Sequence, residues 1–270
     1  MDERDRTTST PLAPSSSAKD APALPDGLVV FAACPEYLST AQHLAARLST
    51  PLADTEPTGL ALRLDADGLS LVGDGMTLRA DLARMAPRIK PHNLHRELLV
   101  RAAKIKGESG PLTAVDATAG FGEDALLLAA AGFSVLLYER NPIIAALLED
   151  ALRRARALPS LQDAVSRMQF VAGDSLQALP ELSIRPDVVY LDPMFPARTK
   201  SAQVKKKFQL LHHLERPCED QDELLDAALS AHPRKIVIKR PSKGPYLADF
   251  APSYSLAGKA VRYDCIVPPR

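Results

Sequence analysis

Val115-Asp116-Ala117-Thr118-Ala119-Gly120-Phe121-Gly122 is the stretch that decides the fold. An apolar run from Leu112 to Asp116 gives way to small residues and two glycines, then to Glu123-Asp124 and an apolar helical stretch reaching about Ala131. Buried strand, tight turn and helix in that order make the first half of a βαβ unit. The glycines let the backbone turn sharply and pass close to a ligand. The following helix aims its free N–H groups at the same place.

The alternation continues in both directions from this turn. Ser134 to Glu139 reads as a second strand, and Asn141-Pro142 is a helix start signal before Ile143, Ile144, Leu147, Leu148, Ala151 and Leu152 at the 3.6-residue period. Met168 to Ala172, Val188 to Leu191 and Lys235 to Lys239 read as the third, fourth and fifth strands. Helices are expected over Ser201 to Leu214 and Asp220 to Ala231, and a terminal hairpin over Tyr254 to Leu256 and Ala260 to Val267. Val135-Leu-Leu-Tyr138 and Val188-Val-Tyr-Leu191 are the unbroken apolar runs of parallel strands buried on both faces. The expected class is therefore α/β, a doubly wound Rossmann-like sheet over residues 91–270.

Upstream, residues 1–26 are rich in Ser, Thr, Pro, Ala and Asp, a composition that cannot offset the entropy of ordering, and they read as a disordered tail. Residues 27–90 read as a small α+β module. Leu28 to Ala33 is a strand, Tyr37 to Leu48 a helix with an apolar stripe, and Leu60 to Leu64 with Leu69 to Val72 a hairpin turning near Asp67-Gly68. Two prolines and a basic cluster (Arg84, Arg88, Lys90) close it, and Asn93 to Lys106 is expected as one helix leading into the main domain.

Composition limits the function. The 270 residues carry 33 Lys plus Arg against 33 Asp plus Glu, so the whole surface cannot grip nucleic acid, and a basic patch has to be local. No apolar run approaches the roughly 18 residues needed to span a bilayer, and the N-terminus lacks a signal-peptide pattern, which makes a cytoplasmic protein the expectation. Cys34, Cys218 and Cys265 lie far apart with no CxxC pair, and the neighbours His212-His213 point about 100° apart on a helix. Neither a disulfide framework nor a metal site is expected.

In an open parallel sheet the ligand crevice lies beyond the carboxyl ends of the strands, where strand order switches. The polar residues of interest all fall there. After the first strand come Asp116, Thr118, Gly120, Gly122, Glu123 and Asp124. Glu139, 19 residues beyond Gly120, ends the second, where a carboxylate can accept both ribose hydroxyls of a nucleotide-like cofactor. Asp174 and Ser175 follow the third and could meet an adenine edge. Gly120-Phe-Gly122-Glu-Asp-Ala125 also matches the GxGxxG/A dinucleotide pattern, so the turn and Glu139 alone leave a nicotinamide dehydrogenase and an S-adenosylmethionine enzyme open.

Asp192-Pro193-Met194-Phe195-Pro196, about 70 residues further on, separates the two. An exocyclic amine is a poor nucleophile because its lone pair is delocalised into the ring. Acceptors on its two N–H bonds, the Asp192 carboxylate and the Pro193 carbonyl in a rigid turn, can orient that lone pair, and Phe195 can stack on the ring. A dehydrogenase has no need of such a turn. The basic residues Arg198, Lys200, Lys205, Lys206 and Lys207, with Lys239 and Arg240 bordering the crevice at the end of the fifth strand, are the candidate contacts to nucleic-acid phosphates. Arg153, Arg154 and Arg156 read as surface.

The segments Asp116 to Asp124, Tyr138-Glu139-Arg140-Asn141-Pro142, Tyr190-Leu-Asp-Pro-Met-Phe-Pro196 followed by Lys200-Ser-Ala, and Lys239-Arg240-Pro241 resemble the ribosomal RNA small subunit methyltransferase J family. The resemblance covers roughly Leu112 to Val267. It implies a class I enzyme that uses S-adenosylmethionine to methylate the exocyclic N2 of one guanine in 16S ribosomal RNA of the small subunit. It also implies that Glu123, Asp124, Glu139, Arg140, Asp174, Ser175 and Asp192 line the cofactor site. An amino-methyltransferase acting on adenine N6 of DNA or RNA uses the same turn and stays open, as do a dehydrogenase and a non-catalytic RNA-binding module.

Overall fold

A computed structural model describes residues 22–108, 110–193 and 220–269. The tail up to residue 21, the helix expected over Ser201 to Leu214, and Met194, Phe195, Pro196, Arg198, Lys200, Lys205, Lys206, Lys207 and Cys218 lie outside the described residues.

The N-terminal part contains β1 (Val29–Ala32), α1 (Leu38–Leu48), β2 (Leu52–Ala53), β3 (Ala61–Asp65), β4 (Gly68–Gly73) and β5 (Met76–Leu78), in one five-stranded sheet ordered β2-β1-β3-β4-β5. The expected hairpin is β3 and β4, paired antiparallel from Ala61 opposite Val72 to Asp65 opposite Gly68. Two short helices, α2 (Pro91–Leu94) and α3 (Leu98–Ala103), replace the single helix expected over Asn93 to Lys106. The chain turns extended at Glu97, ψ 126°, where the Arg88 guanidinium grips the Glu97 carboxylate with two bonds of 2.8 Å.

The main part contains β6 (Leu112–Asp116), α4 (Glu123–Ala130), β7 (Phe133–Glu139), α5 (Pro142–Arg156), α6 (Pro159–Ser166), β8 (Met168–Ala172), α7 (Ser175–Ala178), β9 (Val188–Leu191), α8 (Gln221–Ser230), β10 (Lys235–Pro241), β11 (Tyr254–Ala257) and β12 (Val261–Ile266). The seven strands run in the order β11-β12-β10-β9-β6-β7-β8. β6 to β10 are parallel, while β12 lies antiparallel to β10 and β11.

Alternation along the strands explains why their sequences show no polar face. On β7, Val135 and Leu137 join the core shared with α4, α5 and α6, while Leu136 and Tyr138 join the core beneath α7 and α8. On β9, Val188 and Tyr190 face the first core, Val189 and Leu191 the second. All four β9 residues are at most 1% exposed. A charge placed at any of them would sit unpaired between two apolar layers, at a cost of several kcal/mol.

The first core also runs into the N-terminal sheet through Leu62, Leu69 and Leu71. Polar groups on α5 fix that contact. The Asp150 carboxylate accepts from the Leu69 N–H at 2.9 Å and from Arg154 Nε at 2.8 Å, and Arg154 also donates to the Ala80 carbonyl. The sequence reading of Arg154 as surface is thus corrected: it ties α5 to the chain that follows β5. Asn141 starts α5 as expected, its Oδ1 accepting from the Ile143 and Ile144 N–H groups.

Candidate active site

β6 is flanked by β7 on one side and β9 on the other, so strand order switches at β6 and leaves a crevice beyond its carboxyl end. The loop after β6 forms the floor. Gly120 (φ +53°) and Gly122 (φ +77°) both hold left-handed backbone, for different reasons. A Cβ on Gly120 would meet nothing within 4 Å among the described residues, so this residue offers the open approach a ligand needs. A Cβ on Gly122 would lie 2.7 Å from Leu148 Cδ1, so this glycine is dictated by packing of the loop on α5. Gly122 also precedes α4, whose N-terminus has no side-chain cap, and exposed Glu123 begins the helix.

Glu139 braces the loop from the neighbouring strand. Its Oε2 accepts from the Gly120 N–H at 2.9 Å and its Oε1 from the Asn141 N–H at 2.8 Å. The Arg140 N–H bonds the same carboxylate, which leaves about one of its roughly four lone-pair sites for a ligand hydroxyl. Burial pushes this carboxyl up to about 7, against the N–H bonds that favour its charge. Beyond β8, the Asp174 carboxylate caps the Leu176 N–H at 2.9 Å and lies 4.0 Å from Arg140, which also pairs with Asp220 at 2.8 Å. Ser175, 6% exposed, opens α7.

Asp116 departs from the sequence reading. It is 1% exposed and its Oδ1 accepts from the Thr118 N–H at 3.1 Å, so it braces the loop from below rather than facing a cofactor. Burial holds its carboxyl well above the usual carboxylate range.

The loop after β9 is joined to this floor. The Asp192 N–H donates to Thr118 Oγ1 at 2.6 Å, and Pro193 beyond it is buried. Asp192 Oδ2 accepts from Lys239 Nζ at 2.9 Å, and the same ammonium donates to Asp124 Oδ2 at 2.6 Å. Tyr190 OH donates to Asp124 Oδ2 as well, at 2.6 Å. Asp192 Oδ1 has no partner among the described residues, and 36% of the side-chain surface stays open to the crevice. Burial raises the Asp192 carboxyl above the usual range, with the Lys239 ammonium opposing it. The two carboxylates in turn hold Lys239 above the ordinary lysine range although burial works against its charge.

Lys239 and Arg240 were expected at the edge of the crevice as candidate RNA contacts, with packing the alternative for Arg240. Lys239 lies in the crevice, and Arg240 takes the packing role: at 1% exposure it donates through Nε to the Pro245 carbonyl at 2.8 Å and organises its own loop. Register carried a signal for Lys239. Ile238 pairs with Leu191, so the next residues of two parallel strands, Lys239 and Asp192, have to be neighbours. Tyr190 and Tyr263 were read only as sheet residues. Tyr263 is paired with Lys239 across β12, and burial keeps its phenol neutral, well above its ordinary range. Among the described residues no group of three or more His, Cys, Asp or Glu is placed to hold a metal, and no helix is long and apolar enough to cross a membrane.

The residues present fit S-adenosylmethionine. The open side of Gly120 could admit a close ligand, Glu139 could accept from a ribose hydroxyl, Asp174 and Ser175 lie just beyond β8 where a base edge could be met, and the Asp124 and Asp192 carboxylates suit a cationic sulfonium. A parallel five-strand core with an antiparallel β12 inserted beside β10, and this crevice at its switch point, define a class I S-adenosylmethionine-dependent methyltransferase.

Comparison with known proteins identifies the family. The family described as "Putative SAM-dependent methyltransferase" matches residues 44–268. Ribosomal RNA small subunit methyltransferase J of Thioalkalivibrio sulfidiphilus is 42% identical over 237 residues, covering 84% of this chain and 92% of the relative. The Pseudomonas paraeruginosa protein of the same name is 38% identical over 244 residues, covering 88% and 93%. The crystal structure of a SAM-dependent methyltransferase from Neisseria gonorrhoeae superposes with a TM-score of 0.71 at 29% identity, over 89% of this chain and 96% of that one. The chain belongs to the ribosomal RNA small subunit methyltransferase J family.

Proposed function

We propose that this protein methylates the exocyclic N2 of one guanosine in 16S ribosomal RNA of the small subunit, in the cytoplasm, using S-adenosylmethionine. The observation that carries the reading is the hydrogen bond from the Asp192 N–H to Thr118 Oγ1, which sets the amine-orienting turn on the cofactor loop. Small-subunit ribosomal RNA is the substrate class in the names of the relatives.

When bound, S-adenosylmethionine supplies an electrophilic methyl group on a sulfonium sulfur. Glu139 would hold the ribose, Gly120 would admit the cofactor against the backbone, and Asp174 and Ser175 would border the adenine. Asp192 Oδ1 and the Pro193 carbonyl accept the two N–H bonds of the target amine and turn its lone pair toward the methyl. Transfer of that methyl would break its S–C bond as the N–C bond forms, with the amine proton lost to solvent. Phe195 would stack on the guanine, which has to be unstacked to enter. Arg198, Lys200, Lys205, Lys206 and Lys207 follow the turn directly and would contact phosphates.

The test is methyl transfer from labelled S-adenosylmethionine to small subunits and to naked 16S RNA, with the modified nucleoside identified by mass spectrometry. N2-methylguanosine at a single position is expected. N6-methyladenosine would instead support the alternative base, and no transfer to either acceptor would overturn the proposal.

A further inference from the structure

We propose that Lys239 is a positioning residue for methyl transfer: its ammonium, shared between Asp124 Oδ2 and Asp192 Oδ2, fixes the Asp192 carboxylate and ties it to the first turn of α4. The inference rests on the role given to Asp192 above.

Lys239 Nζ lies 2.6 Å from Asp124 and 2.9 Å from Asp192, and three quarters of its side chain is out of water at 25% exposure. Asp124 is held in place independently, by the Tyr190 hydroxyl at 2.6 Å and by its position at the start of a helix, where negative charge is favoured. Asp192 is held at its N–H by Thr118, but its carboxylate is oriented by Lys239 alone among the described residues. Asp192 Oδ2 is therefore taken, and Oδ1 is left for the substrate amine. Without the ammonium, Asp124 and Asp192 are two like charges facing each other in a half-buried crevice. The Asp192 carboxylate would then turn away or take up a proton, and in either state it is a poorer acceptor for an N–H.

The rival role is contact with RNA phosphates. A phosphate-reading lysine needs its ammonium free in solvent, whereas this one is enclosed by two carboxylates whose summed charge with it is negative. Such a cluster repels phosphate.

The experiment compares wild type, Lys239→Met, Lys239→Arg, Asp124→Asn and Asp192→Asn. Each is measured for kcat and KM on small subunits between pH 5.5 and 9, and for S-adenosylmethionine affinity by calorimetry. Lys239→Met is expected to lower kcat by about 100-fold, as a misplaced catalytic group does, with KM for the subunit little changed. The acid limb of its kcat profile should move up by about 1–3 pH units as Asp192 loses its opposite charge, and Lys239→Arg should restore much of both. If Lys239→Met does not fold, Asp124→Asn carries the test: with one like charge fewer beside Asp192, its acid limb should move down, and an unmoved limb would count against the inference.

A Lys239→Met enzyme with wild-type kcat and pH profile would overturn the inference. So would one in which KM rises and its salt dependence weakens while the pH profile stays fixed, the signature of a lost phosphate contact. Both outcomes leave the proposed function standing so long as Asp192→Asn is inactive. An active Asp192→Asn would remove the reading beneath it instead.

Discussion

The Asp192 backbone N–H and Thr118 Oγ1 lie 2.6 Å apart, joining loops that follow two adjacent parallel strands, β9 and β6. Residues 74 positions apart in the chain thereby become one floor, with the loop after β6 supplying the acceptor and the loop after β9 the donor. Thr118→Val keeps the shape and removes the acceptor, leaving a part-buried N–H unpaired at a cost of about 1–3 kcal/mol. Transfer should slow by about tenfold or more, with S-adenosylmethionine affinity much less affected, and Thr118→Ser should recover most of the rate. Single-turnover kinetics on the three proteins checks this.

The two glycines of the loop should respond differently to alanine. Gly120→Ala takes a left-handed residue but projects its methyl into open space, so stability should fall by only about 1 kcal/mol while cofactor affinity drops sharply. Gly122→Ala meets Leu148 as well and should destabilise by about 2–4 kcal/mol. Denaturant unfolding and calorimetric titration of each variant separate the two effects.

Glu139 makes cofactor binding depend on pH. Its carboxyl is raised to about 7 by burial, and the ionised form is the better acceptor for ribose hydroxyls. Affinity for S-adenosylmethionine should therefore be full above pH 7 and weaken progressively as pH falls below it. The stability sign is opposite: a carboxyl raised in the folded state favours folding below its unfolded value, and this is lost as pH rises through about 7. Glu139→Gln should weaken binding at pH 8 and flatten the dependence, as read by calorimetry from pH 5.5 to 8.5.

Asp150 and Arg154 hold the N-terminal sheet on α5. Despite the cost of burial, the Arg154 and Arg153 guanidiniums and the Leu69 N–H keep the Asp150 carboxyl below its ordinary range. A lowered carboxyl stabilises the fold above its unfolded value and loses that contribution as pH falls through the folded one. Asp150→Ala should cost about 2–3 kcal/mol at pH 7, and the difference from wild type should shrink below pH 4. Urea unfolding at pH 7 and pH 3.5 tests both halves.

Much of this was legible in the sequence, for reasons that differ by element. β9 is found at the expected residues because a strand buried on both faces leaves an uninterrupted apolar run between polar breaks. α5 is legible because Asn141, Pro142 and a 3.6-residue stripe agree. α6 carries a weaker form of the same signals, Pro159 at its start and Leu161, Ala164 and Val165 on one face, and was passed over. The break at Glu97 depends on a guanidinium from outside the helix, which no local pattern records. The positions of Asp192 and Glu139 followed from strand ends. The inward turn of Lys239 and the burial of Asp116 and Arg240 depend on cross-strand neighbours, and residue type alone favoured solvent or ligand for all three.

The role of Asp192 is the centre of the account, and Asp192→Asn measures it directly: one side-chain oxygen remains, the charge is gone, and fold and cofactor loop stay in place. With saturating S-adenosylmethionine and intact small subunits, single-turnover transfer should fall by about 10²–10³-fold, while calorimetry still detects the cofactor at an affinity within about tenfold of wild type. Transfer at the wild-type rate by this variant would contradict the account.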